Sequence, residues 1–222
     1  MLLPYSREIY FASMAAYNAA WLPAVLLAGL LAIPAAALAF YPRPHAANGA
    51  SRFIAGYLAA TWLWIGAAHQ LGMMAELNFM APLYGIAWLG QGVLLAWAGL
   101  YHGTIRFGFT PGLPGAIGKA LTLFGLVIYP VILLALGHDW RSLPVVGAAP
   151  NPTAIFTVGL LLATGNRPPL LLFVVPLAWA GVAGVSAYLL DHTVDYAVSI
   201  AIVVALSLAI LGRLKPTATL RS

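Results

Sequence analysis

Residues 152–165 read Pro-Thr-Ala-Ile-Phe-Thr-Val-Gly-Leu-Leu-Leu-Ala-Thr-Gly, and whether this run crosses a bilayer sets how many times the whole chain does. It carries no charge, yet as a helix it extends only about 21 Å at 1.5 Å per residue, where a span ordinarily needs roughly 20 residues. Just upstream, Asn151 and Pro152 form a helix start, with Asn151 as the cap and Pro152 at the first helical position. Before that start, Gly137, His138, Asp139, Trp140 and Arg141 lead into an apolar, turn-rich stretch through Pro144, Gly147 and Pro150. Such a stretch is too apolar for open water. We expect a re-entrant-like outer loop that folds back over protein and delivers a recessed helix N-terminus, since non-helical backbone at that depth must be buried or line a cavity.

The rest of the chain makes the membrane setting plain. Hydrophobic residues are 63% of the 222 positions and charged residues 7%, against about 25% charged in a soluble domain. Uncharged runs punctuated by charge, Pro and Gly give spans near 18–40, 53–75, 79–101, 118–137, 152–166, 170–190 and 194–212. The expected fold is all-α, a polytopic bundle of about seven transmembrane helices in a single domain over 1–222, with a short fifth helix. Ahead of the first span, Ser6 caps a short interfacial helix with Ile9, Tyr10, Met14 and Tyr17 on one face. The N-terminus, with Glu8 beside Arg7, is a poor secretory signal and is expected to be retained.

Charge bias decides for the short helix. With seven spans and the N-terminus outside, Arg43, Arg52, Arg106, Lys119, Arg167, Arg213, Lys215 and Arg221 face inward, eight of the ten basic residues. If residues 152–166 failed to cross, Arg167, Arg213, Lys215 and Arg221 would move out, leaving four in and six out, against the positive-inside rule. The same assignment puts all five acidic residues, Glu8, Glu76, Asp139, Asp191 and Asp195, on the outer side. They mark either an outer-face site or a solvated rim.

Several classes are excluded or unsupported. Without cysteine there are no disulfides, thiolate metal sites or iron–sulfur clusters. The scattered basic residues form no run of the kind nucleic acid requires, so the partners expected are the lipid bilayer and a membrane protein or second copy of this chain. No internal repeat suggests an inverted-repeat transporter, and no carboxylate falls mid-span as a coupling site would require. Walker loop, dinucleotide fingerprint, His-Glu-x-x-His helix and Gly-x-Ser-x-Gly elbow are all absent, which leans away from an enzyme. No cofactor is named by the residues.

The candidate site residues are the few polar groups near the outer ends of spans. His69, Met73 and Glu76 share a face with Trp62 and Ile65, so a neutral His69 either ligates a metal or haem iron or hydrogen-bonds a neighbouring helix. His138 is the nearest second histidine, making His69 with His138 the candidate metal pair. Asn78 follows the second span. Gln91, deep in the third, is packing glue or lines a path. Asp139, Asn151 and Thr153 border the recessed helix start, whose free N–H groups suit a polar or anionic ligand. Glycines 85, 92, 99, 181 and 184 are read as helix packing.

These motifs resemble an uncharacterised family of bacterial multi-pass membrane proteins, domain of unknown function 6064. The matching features are Tyr17, Asn18, Trp21, Pro23, Trp62, Trp64, Gly66, His69, Asn78, Ala81, Gln91, Gly92, Tyr129, Pro130, Gly137, His138, the run Pro152 to Leu162, Pro176, Trp179 and Gly184. The Pro-Thr-x-x-Phe-Thr run after Gly-His is the most specific of them. The resemblance implies a bacterial cytoplasmic (inner) membrane location, here with the N-terminus outside and the C-terminus cytoplasmic, and implies no activity. Three functions stay open: a membrane-embedded binding or accessory subunit with an outer-leaflet pocket for a small ligand, metal ion or cofactor; a small-solute or ion permease; and a structural partner in a larger complex.

Overall fold

A computed structural model describes residues 5–41, 47–108 and 111–214, so residues 1–4 and Arg43, His45, Lys215 and Arg221 lie outside the described residues. The described chain is mostly helical, with an isolated antiparallel bridge between Phe107 and Thr164 and no strand among the described residues. Five helices among the described residues are long and apolar enough to cross a membrane: Leu22–Phe40, Ala81–Tyr101, Leu113–Ala135, Leu170–Leu189 and Thr193–Arg213. The other two expected spans are helices as well. One is long but carries Arg52, Tyr57, Thr61, His69 and Gln70; the other, Pro150–Leu162, is short.

Helix α1, Arg7–Ala20, is capped as expected, the Ser6 hydroxyl accepting from the Ile9 N–H at 3.4 Å. Its buried face is Phe11, Met14, Tyr17 and Asn18, while Ile9 is exposed. The helix covers protein on that face, not the membrane surface alone. Helix α2 is Leu22–Phe40, and α3, Ala47–Trp64, continues as a π-helical stretch, Ile65–Met73, and one 3-10 turn, Met74–Glu76. Helix α4, Ala81–Ala96, packs closely on α3 because both faces are small: a Cβ on Gly66 would come 3.0 Å from the Gly85 carbonyl oxygen, and one on Gly92 would come 3.0 Å from that of Ala59. Gly85, Gly92, Gly99 and Gly184 all make such approaches, whereas Gly181 faces open space.

Helices α5, Leu113–Leu123, and α6, Tyr129–Ala135, are joined by π-helical Phe124–Ile128 into one rod. Pro130 explains the change of winding, since it has no N–H to donate and its ring crowds the carbonyl one turn back. The 3-10 turn Trp140–Ser142 follows, then buried non-helical backbone from Leu143 to Ala149. Asn18 of α1 holds this segment, its Nδ2 donating to the carbonyls of Arg141 at 2.9 Å and Leu143 at 3.0 Å. The apolar stretch ahead of Pro150 is thus buried backbone held by α1.

Helix α7, Pro150–Leu162, is the centre of the molecule. Every residue except Asn151 is buried, so the helix has no polar face and no lipid face. It packs on the α5 rod, on α3, on α8, Val174–Leu189, and on α9, Tyr196–Leu214. Buried Trp62 donates from Nε1 to Thr157 Oγ1 at 2.9 Å and stacks on Trp88 with centroids 3.9 Å apart. The helix starts two residues earlier than expected, at Pro150 with Ala149 at the cap, and Asn151 caps nothing. Pro150 takes the first-turn position because its missing N–H would be unsatisfied there in any case, which frees the Asn151 side chain for other partners.

Candidate functional site at one end of the bundle

The π-helical continuation of α3, the starts of α4 and α7, the later part of α8 and the turn into α9 meet under α1, and a cavity of about 60 Å³ lies there. Its polar lining includes Arg7, His69, Gln70, Asn78, Asn151, Ser186, His192 and Asp195. The volume admits a few water-sized groups. His69 and Gln70 come from the π-helical stretch, a winding that recurs at functional sites. Each is only 2% exposed. Among the described residues neither ring nitrogen of His69 and not the Nε2 of Gln70 has a hydrogen-bond partner. Tyr17 meets the His69 ring edge-on at 5.5 Å and is itself held by Trp64, whose Nε1 donates to its hydroxyl at 2.8 Å.

The opposite wall is a buried chain of polar groups. Trp179 donates from Nε1 to Asn151 Oδ1 at 2.9 Å, and Asn151 Nδ2 donates weakly to the Tyr129 hydroxyl at 3.4 Å. Tyr129 in turn donates to Asp195 Oδ1, while Asp195 Oδ2 lies 2.9 Å from His192 Nδ1. One 3-10 turn, Thr193–Asp195, creates the last pair by placing residues three apart on one side. With Nδ1 engaged by the carboxylate, Nε2 is the His192 ring nitrogen left for another partner. That nitrogen is buried and has no partner among the described residues.

His138 sits across Phe11 from this pair. Its ring centroid is 4.0 Å from that of Phe11 and 5.8 Å from that of His192, and it lines a wider cleft of about 490 Å³ with Arg7, Glu8 and Asp191. Partial burial holds its imidazole below the usual histidine value, helped by the neighbouring His192 and Arg7. His69 and His138 thus line separate cavities, and His192 is the histidine common to both. Among the described residues no group of three or more His, Asp or Glu side chains is arranged to hold a metal ion.

A family of unknown function, DUF6064, matches residues 7–219. The chain belongs to that family. No curated protein and no solved structure matches it. The DUF6064 match covers every element that builds the cavity except Tyr5, and so includes both histidine clusters.

The remaining predicted residues of this DUF6064 chain lie elsewhere. Gln91 is fully buried away from the cavity and donates to the Leu172 carbonyl at 2.8 Å, while its Oε1 has no partner among the described residues. Thr153 accepts from the Gly147 N–H at 2.8 Å and donates to the Ala149 carbonyl at 2.7 Å, so it fastens the turn before α7. Gly147 there has φ +87, and a Cβ would come 2.7 Å from that of Ala28. Asp139 caps the 3-10 turn by accepting from the Arg141 N–H at 3.0 Å and is exposed. Glu76 is exposed too. Its expected place beside His69 assumed α-helical spacing, which the π and 3-10 turns between them break. Asn78 does line the cavity, its Oδ1 accepting from Met80 N–H at 2.9 Å.

His192 and Asp195 are functional candidates that were not among the site residues expected from the sequence. The available signal was their i, i+3 spacing, which sets an imidazole beside a carboxylate on any helical turn.

Proposed function

We propose that this protein is a membrane-embedded binding subunit whose outer-end cavity holds a small, neutral, hydrogen-bonding molecule between His69, Gln70 and His192. The observation that carries the reading is that these three side chains, all nearly fully buried, line one cavity and each has a nitrogen without a partner among the described residues. Each unsatisfied buried group costs about 1–3 kcal/mol. Three such groups together cost a large share of the ~5–15 kcal/mol by which a fold is stable, so an occupant that pairs them is the economical account. Gln70 donates, and a neutral imidazole such as His69 both donates and accepts, so the occupant carries both donors and acceptors.

The proposal includes seven crossings in one domain of a bacterial inner membrane, N-terminus outside. Support comes from α7 being enclosed on all sides and continued by buried backbone from Leu143, so that protein makes up the thickness its 13 residues leave. A reporter fused after Arg167 is then active in the cytoplasm, and one after Asp191 outside; the reverse pattern refutes the topology.

The binding reading is tested on protein purified in native lipid discs, by mass spectrometry of what it retains. The expected result is a stoichiometric small molecule, lost in both His69→Leu and His192→Gln. A cavity that retains nothing but water in the wild type refutes it. Flux of a small solute that depends on His69 and Gln91 would replace it with a permease, and a complex whose assembly survives both substitutions would replace it with a structural role.

A further inference from the structure

A second concavity lies on the opposite flank, between α2 and the π-helical part of the α5 rod. It is a cleft of about 520 Å³ running from Asn18, Trp140 and Arg141 past Leu22, Gly29 and down to Ile33. Below its mouth the lining is apolar, with Leu26, Leu30, Leu126 and Val127 on its walls. From Leu22 to Ile33 it follows α2 for roughly 17 Å at 1.5 Å per residue. That is close to one leaflet, half of the ~30 Å hydrocarbon core. A groove of this depth along a membrane-facing helix fits an acyl chain.

The mouth carries a matched set of polar groups. Arg141 is exposed, stacks over Trp140 at 4.8 Å and has its Nη1 3.7 Å from Asp139 Oδ2. This is one positive and one negative group side by side, next to a Trp of the kind enriched at headgroup level. Asn18 supplies the independent sign of a ligand. It is 8% exposed, and its Nδ2 is fixed by the two loop carbonyls of Arg141 and Leu143, so the amide cannot be turned round. Its Oδ1 is therefore a committed acceptor, and it has no partner among the described residues.

We propose that this cleft is a binding site for a phospholipid with a primary ammonium head group, of the phosphatidylethanolamine type. The acyl chain lies along α2, the phosphate pairs with Arg141, and the ammonium donates to Asn18 Oδ1 and Asp139. A choline head group has the same charges but no N–H to donate, so it fails at the ammonium subsite. Arg141 is suited to the phosphate because its planar fork meets two oxygens at once.

The test uses the full chain, delipidated in detergent and titrated with phosphatidylethanolamine or phosphatidylcholine of identical acyl chains, with the 1:1 adduct read by native mass spectrometry. Phosphatidylethanolamine is expected to bind roughly tenfold or more tightly than phosphatidylcholine, the size of one lost hydrogen bond to a charged group. Arg141→Gln is expected to lower its binding by a similar factor. Gly29→Leu is expected to abolish it, because a Cβ at Gly29 meets nothing within 4 Å and a longer side chain fills the cleft without displacing its neighbours. Unchanged thermal stability of both variants shows that the fold is intact. Equal binding of the two lipids, or binding indifferent to Arg141→Gln or to Gly29→Leu, identifies ordinary annular lipid and overturns the proposal.

Discussion

The contact between α5 and α7 offers the sharpest test of the packing, through Gly159→Ala. A Cβ at Gly159 would lie 2.6 Å from Thr122 Oγ1, 2.7 Å from Thr122 N and 2.8 Å from Gly118 O. The facing glycine is equally tight, since a Cβ on Gly118 would lie 2.7 Å from Gly159 O. Carbon contacts are comfortable at about 3.5–4.0 Å, so the two helices must part by roughly 1 Å. Most of the opposing atoms are backbone, and α7 is enclosed on every side, so it has no free direction in which to shift. Overpacking of this kind costs about 1–3 kcal/mol, and the upper end applies here. Better helix propensity of Ala returns up to about 1 kcal/mol, leaving a net loss near 2 kcal/mol. Gly90→Ala and Gly181→Ala provide the contrast: both positions face open space within helices, so these variants gain up to about 1 kcal/mol. Reversible unfolding in bicelles measures all three. If Gly159→Ala proves as stable as Gly90→Ala, the close α5–α7 contact, and with it the central place of α7, is refuted.

The polar chain beside the cavity and the half-buried His138 give two further expectations. Tyr129→Phe deletes the hydroxyl that joins Asn151 to Asp195 and leaves a buried carboxylate oxygen short of a donor, costing about 1–3 kcal/mol in the same unfolding assay. Adding Asn151→Ala to that variant should cost less than it does in the wild type, because the two act through one network; strict additivity would dissolve the network. For His138 the folded-state pKa is lowered by burial, then by His192 and Arg7. Its neutral form therefore stabilises the fold fully above the unfolded value of about 6.5, and that contribution is lost as pH falls from there toward the folded value. Between about pH 7.5 and pH 5 the wild type should lose more thermal stability than His138→Asn, and an equal loss refutes the assignment.

Helix order and the buried approach to α7 were legible because long apolar runs and a Pro/Gly-rich apolar loop each have one economical solution in a membrane protein. The same logic found Ser6 and Asn18 by type or by resemblance, and it found His69. It erred where local winding departs from the α-helix. Glu76 was placed by 3.6-residue spacing through a segment that is π and then 3-10, and it swings to the surface. Asn151 looked like a cap because Pro152 follows it, but Pro150 begins the helix and Asn151 turns to Trp179 and Tyr129 instead. His192 stands at a span end beside a loop, where imidazoles are mostly solvated, and Asp195 counted only among the acidic residues that mark either an outer-face site or a solvated rim. Span ends are solvated only where no other element covers them, and here α1 does, a tertiary fact that no periodicity carries.

The distribution of unpaired polar groups argues for a site reached from one side. His69, Gln70 and His192 cluster at the end of the bundle where α1 and the loop into α7 form a roof. One and two turns deeper along α3, the lining gives way to Ile65 and to Trp62, which is fully buried, stacked on Trp88 and tied to Thr157 of the central helix. Gln91, the next polar group along, is engaged with the Leu172 carbonyl. A solute moving through would have to separate the Trp62–Trp88 stack, break a buried hydrogen bond and displace a helix that has neighbours on every side. A solute that only binds needs none of this, because the groups that would pair with it already converge above that floor. The aromatic floor thus favours retention over passage, and it makes His69, the deepest of the unpaired groups that line the cavity, the residue whose replacement should most affect what the cavity holds.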